Sequence, residues 1–370
     1  MKLAIVSHTE HYKDPNGQLV GWGPTVREVN YLAGHFEKVY HLAMLHDGSA
    51  PASALPYEGD NIEFIALPAV GGPRLQDKLR ILTQAPKTIG EVDRIMKQVD
   101  AIQFRVPTGI GTYLLPWLWL KTHRPFTWVK YAGNWNQEDP PKGYAFQRWF
   151  LKRNFLKCPV TINGKWPEQP EHCITFENPC LDGQERRLGW EEIQRKDYSG
   201  PLEACFVGRL ETAKGVRRIL NAASIWKEKG VTRIHLIGDG AERAEFEKMA
   251  GEQEAIEFIF HGGLPRDEVA RIMKGSHLLL LPSTASEGFP KVIAEGANYG
   301  ALPVVSDVSS IGQYIHDENG WLWPRNRDFN EWLSSIEFTG GKDKARMAYE
   351  LAENFTFGHY TDRILNEILK

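Results

Sequence analysis

Short apolar runs alternate with helix-forming stretches in the second half of the chain, and this alternation constrains the fold more than any other feature. The apolar runs are EACFVGRL (203–210), RIHLIGDG (233–240), IEFIFHG (256–262), HLLLLPS (277–283) and LPVVSD (302–307). Helical patterns separate them, as in GVRRILNAASIWKEKG after the first run. Such alternation is typical of a parallel sheet covered by helices. Ligands bind these sheets beyond the carboxyl ends of the strands.

The first half of the chain repeats this pattern less regularly. Its candidate strands are KLAIVSH, HFEKVYHLAML, NIEFIALPAV, VDAIQFRVP, PFTWVKYAG and CPVTING, with helical stretches such as TVREVNYLAGHF and TIGEVDRIMKQV between some of them. A polar segment containing Pro and Gly, residues 176–201, is interpreted as the linker between the halves. Because 370 residues suffice for two domains of ordinary size, we predict two α/β domains.

Composition and charge exclude several classes of protein. The fractions of hydrophobic (42%) and charged (25%) residues are those of a globular protein. A net charge of −3 and a pI near 6.5 argue against nucleic acid as a partner, since nucleic-acid-binding domains are usually basic. The four cysteines contain no CxxC pair and indicate buried thiols in a reducing, cytoplasmic compartment. MKLAIVSHTE is interpreted as a first strand rather than a signal peptide, and the run YLLPWLWL (113–120) is too short to span a bilayer.

The loop GRLETAKG carries two cations, Arg209 and Lys214, between Gly208 and Gly215. Glycine lets the backbone approach an anion, and the following helix presents its N-terminal amides to the same place. Two cations beside such a loop suit a diphosphate. A solvated loop with surface charges explains the pattern equally well, so both interpretations stay open here.

The loop GDG (238–240) is a tight turn between a strand and a helix. Gly238 and Gly240 allow a ligand to come close, and ordinary turn chemistry is the alternative. Asp239 is interpreted as a turn residue.

The loop PSTASEGFPKVIAEG carries two carboxylates, Glu287 and Glu295, on either side of a predicted helix start. Pro290 suits the first helical turn, and the amides of Gly288 and Phe289 suit an anion or an oxyanion. The two glutamates do not share one helical face. They are interpreted as separate contacts to one extended ligand, as the acid and base of a glycoside hydrolase, or as ordinary surface residues.

The order of FVGRL…KG, LIGDG, SEGFPKVIAEG, ALPVVSD and NGWLWP resembles the retaining GT-B glycosyltransferases of family GT4 over about residues 203–324. The segment GWGPTVREVNYLA (21–33) is similar to the Gly-rich acceptor-side loop of that family. The resemblance implies an α/β fold with two Rossmann-like doubly wound domains facing a central cleft. The acceptor-binding domain would be residues 1–185 and the nucleotide-sugar donor-binding domain residues 186–346. A C-terminal helix at about 347–370 would pack back on the first domain.

The resemblance also implies roles for single residues of the second domain. Arg209 and Lys214 would hold the donor diphosphate and stabilise the leaving group. Glu287 would contact hydroxyls of the donor sugar, and Glu295 would bind the ribose diol. Further donor-binding positions are Gly208, Gly238, Asp239, Gly240, Gly288, Phe289, Pro290 and Lys291.

On the acceptor side or in the cleft, the candidates are Gly21, Trp22, Gly23, Arg105 and Asn134. Many relatives carry a histidine at the end of a first-domain strand, whereas the corresponding segment here, KYAGNWNQ, has Asn134. Either Asn134 takes a positioning role, or His8 or His11 at the end of the first strand does. Arg105 is interpreted as a cleft residue or as a salt-bridged scaffold arginine.

The implied activity is that of a hexosyltransferase. It would move a sugar, with retention, from a nucleotide-diphosphate sugar to a saccharide or lipid-linked acceptor, in bacterial surface polysaccharide or glycoconjugate synthesis. No metal or other cofactor is expected, because the sequence has no Asp-x-Asp and because cations with helix-start amides stabilise a leaving diphosphate. A non-catalytic nucleotide-sugar binding protein on the same fold is the main alternative, and a glycoside hydrolase is the other.

The segment YAFQRWFLKRNFLK (144–157) mixes aromatic and basic residues at helical spacing. Such a helix can dock on anionic lipid, which would suit a peripheral enzyme at the inner membrane surface. The favoured interpretation is an amphipathic helix packed on the first sheet with its aromatic rings inward, because the strand-like CPVTING follows it.

Overall fold

The structure is a computed structural model that describes residues 1–72 and 80–370. The chain divides into two compact units, Met1–Asn178 with Tyr360–Lys370, and Pro179–His359. The boundary drawn from the sequence after residue 185 falls inside a helix of the second unit, Gly183–Arg195. Of the stretch 347–370 assigned from the sequence to the first domain, Tyr360–Lys370 lies in the first unit.

In the first unit, the described strands and helices alternate along most of the chain. The strands are β1 (Lys2–Lys13), β2 (Leu19–Trp22), β3 (Lys38–Leu45), β4 (Ala54–Pro56), β5 (Ile62–Pro68), β6 (Ala101–Val106), β7 (Phe126–Tyr131), β8 (Val160–Ile162) and β9 (Cys173–Thr175). The helices are α1 (Gly23–Ala33), α2 (Ala85–Met96), α3 (Gly111–Leu120) and α4 (Lys142–Lys152).

These strands form one sheet whose parallel part runs in the order β5-β3-β1-β6-β7-β8-β9. Strand β2 pairs antiparallel with the end of β1, and β4 pairs with β2. The strand order reverses between β1 and β6, which is where doubly wound sheets bind their ligands. The centre of β1 is fully buried, as expected for a strand covered on both faces.

In the second unit, the elements follow the alternation seen in the sequence. The strands are β10 (Leu202–Val207), β11 (Val231–Ile237), β12 (Glu257–Gly262), β13 (Leu278–Leu281), β14 (Leu302–Ser306) and β15 (Trp321–Trp323). The helices are α5 (Gly183–Arg195), α6 (Val216–Asn221), α7 (Ala223–Glu228), α8 (Arg243–Gly251), α9 (Arg266–Gly275), α10 (Lys291–Asn298), α11 (Phe329–Ser335), α12 (Gly341–Ala352) and α13 (Phe357–Arg363). The last of these crosses into the first unit at Tyr360.

All strands of the second sheet are parallel and lie in the order β12-β11-β10-β13-β14-β15. Each apolar run identified in the second half coincides with a strand. Every residue of β13 is buried, and burying one such side chain contributes roughly 1.5–3 kcal/mol. The predicted class, an α/β fold with two doubly wound sheets, is therefore confirmed.

The polar segment 176–201, interpreted from the sequence as a linker, contains the 13-residue helix α5. A capping box starts this helix, because the Asp182 side chain accepts the amide hydrogen of Glu185 while the Glu185 side chain accepts that of Asp182. The spacing Asp-x-x-Glu is visible in the sequence, but the low hydrophobicity of the segment concealed the helix.

Among the residues that the structure describes, no helix is long and apolar enough to cross a membrane. The apolar run YLLPWLWL lies within the ten-residue helix α3. Leu114, Leu115 and Leu118 of that helix are buried in the first unit. All four cysteines are buried free thiols.

Candidate functional site

Glycines at the carboxyl ends of β10 and β11 let two loops of the second unit touch. Gly238 has a φ of +129°, and a Cβ there would lie 1.9 Å from the carbonyl oxygen of Gly208. A Cβ on Gly240 would lie 2.4 Å from the carbonyl oxygen of Leu210. A larger residue at either position would push the loops apart. These glycines therefore shape the edge of the sheet through contacts within the protein.

Asp239 lies in the turn between two of these glycines. Its Oδ1 accepts a hydrogen bond from the Gly240 amide at 2.8 Å, and its Oδ2 lies 3.7 Å from Arg243 Nη1. Both contacts stabilise the turn and the start of α8. Asp239 is thus placed as a turn residue, and its exposed side chain contacts only its neighbours in the turn and in α8, Gly240 and Arg243.

Lys214 ends a short 3₁₀ turn that is followed by Gly215 in the left-handed conformation, with a φ of +94°. A Cβ on Gly215 would lie 2.3 Å from the carbonyl oxygen of Pro282. The Ala213 carbonyl accepts a hydrogen bond from the Thr284 amide at 2.8 Å. The loops after β10 and β13, the two strands at the switch point, are therefore held together by backbone contacts.

The central contact of this site is an ion pair in which Lys214 Nζ donates to Glu287 Oε1. The Lys214 side chain is 10% exposed, whereas the Glu287 side chain is 40% exposed. Desolvation destabilises a mostly buried ammonium that has no partner, so Glu287 is needed to hold Lys214 in place. The structure brings these two predicted residues together, with the cation fixed and the carboxylate open to a ligand.

Arg209 lies on the same loop but outside this pair. Its guanidinium is 2.8 Å from Glu211 Oε1, and its side chain is 70% exposed. Exposed pairs of this kind contribute roughly 0–1 kcal/mol. Glu211 therefore holds Arg209 only weakly, and the exposed guanidinium is accessible to an anion.

Glu295 lies on α10 in an ion pair that the sequence did not reveal. Arg266 Nη1 donates to Glu295 Oε1 at 2.6 Å, while Nη2 donates to Glu185 Oε1 at 2.8 Å and to the Cys180 carbonyl at 2.9 Å. Burial opposes the charge of Arg266, but the two carboxylates outweigh it and raise its pKa. The sequence position of Arg266 could have identified it as a site residue, because Arg266 is the first residue of a helix directly after the strand-end loop HGGLP.

The turn between Glu287 and Glu295 has some residues in the core and others at the surface. Phe289 is buried, and its ring stacks on Phe355 with centroids 4.5 Å apart. Gly288 is buried beside it, Pro290 is the N-cap residue before α10, and Lys291 opens the helix. The Phe289 side chain thus supports the turn from inside the second unit.

The two glycines in the segment 21–23 of the first unit also contact the protein itself. A Cβ on Gly21 would lie 2.3 Å from His11 Cδ2, and one on Gly23 would lie 2.5 Å from the Ser53 carbonyl oxygen. Packing of the first unit therefore requires both glycines. Trp22 between them is 51% exposed and is the accessible side chain of this segment.

Arg105 belongs to a buried charged cluster. Its Nη2 lies 2.8 Å from Glu28 Oε1, and Lys130 Nζ lies 2.7 Å from the same oxygen. Gln103 Oε1 accepts from Arg105 Nε at 2.7 Å, and the Tyr360 hydroxyl lies 3.1 Å from Lys130 Nζ. Burial, followed by the Glu28 carboxylate, raises the pKa of Tyr360. This is the arrangement of a salt-bridged scaffold arginine, one of the two interpretations drawn from the sequence.

His11 ends a directional chain of hydrogen bonds inside the first unit. Ser7 Oγ lies 2.8 Å from His41 Nε2, and the Tyr57 hydroxyl lies 2.5 Å from His41 Nδ1 and 2.7 Å from His11 Nε2. His11 Nδ1 must donate to the Thr9 carbonyl, 3.1 Å away, because a carbonyl only accepts. Burial lowers the pKa of His11 to about 4, so the ring is neutral and Nε2 accepts from Tyr57. The Tyr57 hydroxyl has a single hydrogen, so His41 Nδ1 donates to Tyr57. The Ser7 hydroxyl lies within hydrogen-bond distance of both His41 Nε2 and Thr9 Oγ1.

His8 and Asn134 are the other polar candidates of the first unit. Burial lowers the pKa of His8. Asn134 follows β7, and its Oδ1 accepts a hydrogen bond from the Asn136 amide at 3.0 Å, which stabilises a local turn. Within residues 1–72 and 80–370, no group of three His, Cys, Asp or Glu residues is placed to hold a metal ion.

Residues 191–352 match the family described as glycosyl transferases group 1. The chain is 36% identical over 156 residues to the 2-deoxystreptamine glucosyltransferase of Streptomyces kanamyceticus, and this match covers 39% of the chain and 40% of that protein. The similarity to a curated relative thus spans less than half of that relative's length. The resemblance to glycosyltransferases drawn from the sequence is confirmed for the second unit.

Two solved structures extend the similarity to nearly the whole chain. Sucrose-phosphate synthase from Thermosynechococcus elongatus has a TM-score of 0.69 at 15% identity, covering 98% of this chain and 97% of that one. Anabaena HepE in complex with UDP and glucose has a TM-score of 0.65 at 16% identity, covering 99% and 98%. Similarity at such low identity shows the fold alone. The chain has the GT-B fold, as the resemblance implied.

Proposed function

Residues 191–352 form a group 1 glycosyl transferase domain, and from this premise we propose that the chain is a retaining, metal-independent glycosyltransferase. It moves a sugar from a nucleotide-diphosphate sugar to a saccharide or lipid-linked saccharide in bacterial surface polysaccharide or glycoconjugate synthesis. The observation that carries the proposal is the Lys214–Glu287 ion pair. This pair lies where the loops after β10 and β13 meet, at the switch point used by ligands of doubly wound sheets.

The charges at this place suit the departure of a nucleoside diphosphate. Breaking the sugar–phosphate bond leaves negative charge on the diphosphate and positive character on the sugar. The fixed Lys214 and the exposed Arg209 stabilise the diphosphate, and the amides at the start of α10 add to this effect. Glu287, held by Lys214 and open to solvent, accepts hydrogen bonds from hydroxyls of the donor sugar.

Glu295 binds the ribose of the donor in this proposal. Arg266 contacts Oε1 of the Glu295 carboxylate and fixes its orientation. Oε2 is then the oxygen that meets the ribose diol. Arg266 therefore acts as a positioning residue, since its contact is to the carboxylate and not to the nucleotide.

The first donor to test is UDP-glucose. Anabaena HepE was solved with UDP and glucose, and the Streptomyces kanamyceticus relative is named a glucosyltransferase. These names support the choice of nucleotide and sugar without identifying the acceptor.

An exposed aromatic surface supports peripheral contact of the first unit with a membrane that carries a lipid-linked acceptor. Trp119, Leu120 and Trp149 are 52%, 73% and 48% exposed. The rings of Trp119 and Trp149 each lie 5.5 Å from the ring of Phe155. The favoured interpretation of 144–157, with all aromatic rings inward, is therefore wrong for Trp149. Exposed aromatic residues beside basic ones suit the interface of an anionic lipid surface.

The two alternative functions make different demands: a glycoside hydrolase requires another protonation state of the glutamates, and a non-catalytic binding protein forms no product. A glycoside hydrolase needs one carboxyl group that holds a proton, whereas Glu287 and Glu295 are both ion-paired with cations. A non-catalytic binding protein would bind the donor and release nothing.

The test is to incubate the chain with a panel of nucleotide sugars and candidate saccharide acceptors, and to measure the free nucleoside diphosphate and the glycosylated product. We expect acceptor-dependent release that persists after metal ions are chelated. Tight donor binding without release would support the binding protein instead. Release of sugar from an oligosaccharide without any nucleotide would support the hydrolase.

A further inference from the structure

A cavity of about 420 Å³ lies in the second unit beside the ends of β13 and β15. Three of its lining residues are arginines, Arg218, Arg325 and Arg327, and the ring of Trp323 forms part of its apolar wall. Thr284 links the cavity to the loop after β13. None of the residues with a proposed role toward the donor lines it, so the cavity needs an explanation of its own.

Most arginines elsewhere in the second unit pair with carboxylates. Arg217, Arg233, Arg243, Arg266 and Arg271 each have a carboxylate oxygen within 2.8 Å. The structure describes every residue of the second unit, and none of the three cavity arginines has an ion-pair partner there. Apart from the exposed Arg187 on α5, the second-unit arginines without an ion-pair partner all line this cavity.

Arg217 and Arg218, consecutive residues of α6, show the difference between an arginine that is paired with a carboxylate and one that is not. Glu245 lies 2.7 Å from Arg217 and raises its pKa, whereas burial lowers the pKa of Arg218. The Arg218 guanidinium lies over the Trp323 ring at 5.3 Å, and its Nη1 is 3.4 Å from the Pro282 carbonyl oxygen. These partners are neutral, so a half-buried cation is left with uncompensated charge.

The rest of the lining does not neutralise this charge. Arg325 Nε donates to the Asp307 carbonyl at 3.0 Å, which holds the side chain in place and leaves its charge intact. Asp328 is the carboxylate of the lining, and its Oδ1 accepts the amides of Asn330 at 2.9 Å and Glu331 at 3.1 Å. With three guanidinium groups and one carboxylate, the cavity is positively charged.

We propose that this cavity binds a small phosphorylated molecule with at least two negative charges. Guanidinium groups match phosphate oxygens two at a time. The volume lies within the usual ~300–1,000 Å³ of small-molecule sites and exceeds what one phosphate group fills. The side chains of Asn221 and Asn330 supply hydrogen bonds for the remainder of the molecule.

Titration calorimetry with inorganic tripolyphosphate at constant ionic strength tests this site. We expect a cavity-binding event that weakens about tenfold or more in the variant Arg325→Gln/Arg327→Gln, because each charged hydrogen bond to the ligand is lost. Both side chains are exposed, so the variant should fold normally. The matched control is Arg217→Gln, which changes the neighbour of Arg218 outside the cavity and should bind as the wild type does.

A second arm separates this site from the proposed donor site. Lys214→Ala should keep the cavity event, and loss of that event in Lys214→Ala would assign the binding to the donor site and overturn the proposal. Unchanged affinity and stoichiometry in Arg325→Gln/Arg327→Gln would overturn it as well. Citrate serves as a non-phosphate anion, and binding as tight as that of tripolyphosphate would contradict the assignment of a phosphorylated ligand.

Discussion

The parallel parts of the two sheets share one strand order around the switch point, but the two units place charge differently at the carboxyl ends of their central strands. In the first unit, Glu28 joins Arg105 and Lys130, and its side chain is 3% exposed. In the second unit, Lys214 pairs with Glu287, which is 40% exposed. In the buried cluster every charged group is held by partners within the protein and fixes its own elements, whereas a half-open pair leaves one partner accessible to a ligand. Exposure of the partner, more than the presence of a charge, therefore separates the structural cluster from the pair to which we assign donor binding.

The hydrogen-bond chain from Ser7 to His11 extends this comparison to neutral groups. His41 and His11 are both fully buried, and each of their ring nitrogens has a hydrogen-bond partner, which is Ser7, Thr9 or Tyr57. His11 on β1 and His41 on β3 thus support the packing of the first unit. The second unit has no equivalent at the end of β10, where Gly208 and the exposed Arg209 stand.

The largest effect should come from opening the buried cluster with Glu28→Ala. Two buried cations then lose their common carboxylate, and the free energy of unfolding should fall by about 3–5 kcal/mol. Urea denaturation measures this loss. The control is Glu63→Ala, which breaks an exposed pair with Lys38 at 2.6 Å and should cost at most about 1 kcal/mol. Equal losses in the two variants would contradict the distinction between buried and open pairs.

Loss of the half-open Lys214–Glu287 pair should lower the turnover rate. Lys214→Ala removes the fixed cation of the proposed leaving-group site, and turnover should fall about 10²–10³-fold, as when one preorganised donor is lost. The rate of nucleoside diphosphate release in the presence of acceptor is the measurement. Lys227→Ala, an exposed lysine on α7, should leave that rate unchanged. A rate in Lys214→Ala within a few-fold of the wild type would rule out the leaving-group role.

The buried His11 should make the stability of the first unit fall at acidic pH. Burial holds the pKa of His11 at about 4 in the folded chain, below its ordinary value of about 6.5, so the unfolded chain binds more protons in this range. Stability is therefore complete above pH 6.5 and should fall by about 3 kcal/mol as the pH drops to 4. Urea denaturation across this range should show a shallower slope for His11→Gln than for the control His35→Gln, which changes an exposed histidine. The same slope in both variants would remove His11 as the cause.

The smallest effect should be a difference in nucleoside diphosphate affinity between variants of Glu295 and Glu185, the two carboxylates that contact Arg266. Glu295→Gln should weaken nucleoside diphosphate binding about tenfold, because a charged hydrogen-bond acceptor for the ribose diol is lost. Glu185→Gln removes the other partner of the same guanidinium and should lower stability while leaving affinity unchanged. Calorimetric titration of both variants gives the comparison. If both lose affinity equally, Glu295 acts through Arg266 and not on the ribose.

Much of the fold could be predicted from the sequence because buried parallel strands appear as continuous apolar runs. The runs at β10 to β14 were located by this signal alone. Helix α5 was missed because it is mostly polar and starts at a capping box rather than with an apolar stripe. The domain boundary was accordingly drawn inside it.

The pairing of charges could not be predicted, because it depends on contacts between distant parts of the chain. Glu28 meets Arg105 across 77 positions and Lys130 across 102, and Arg266 meets Glu185 across 81. The sequence identifies these residues as polar groups near strand ends, but local spacing carries no information about which of them are paired. The same limit explains why Gly21, required by the His11 ring, resembled a ligand-binding glycine.

The return of Tyr360–Lys370 to the first unit has a consequence for the order in which a ribosome-bound chain acquires its structure. Tyr360 contacts Lys130 of the buried cluster, and Arg363 Nη1 lies 2.9 Å from Glu177. These contacts form only after the whole second unit has been synthesised. The first unit is translated first, yet it completes its packing last, and vectorial folding from the N-terminus must wait for the final turn of helix.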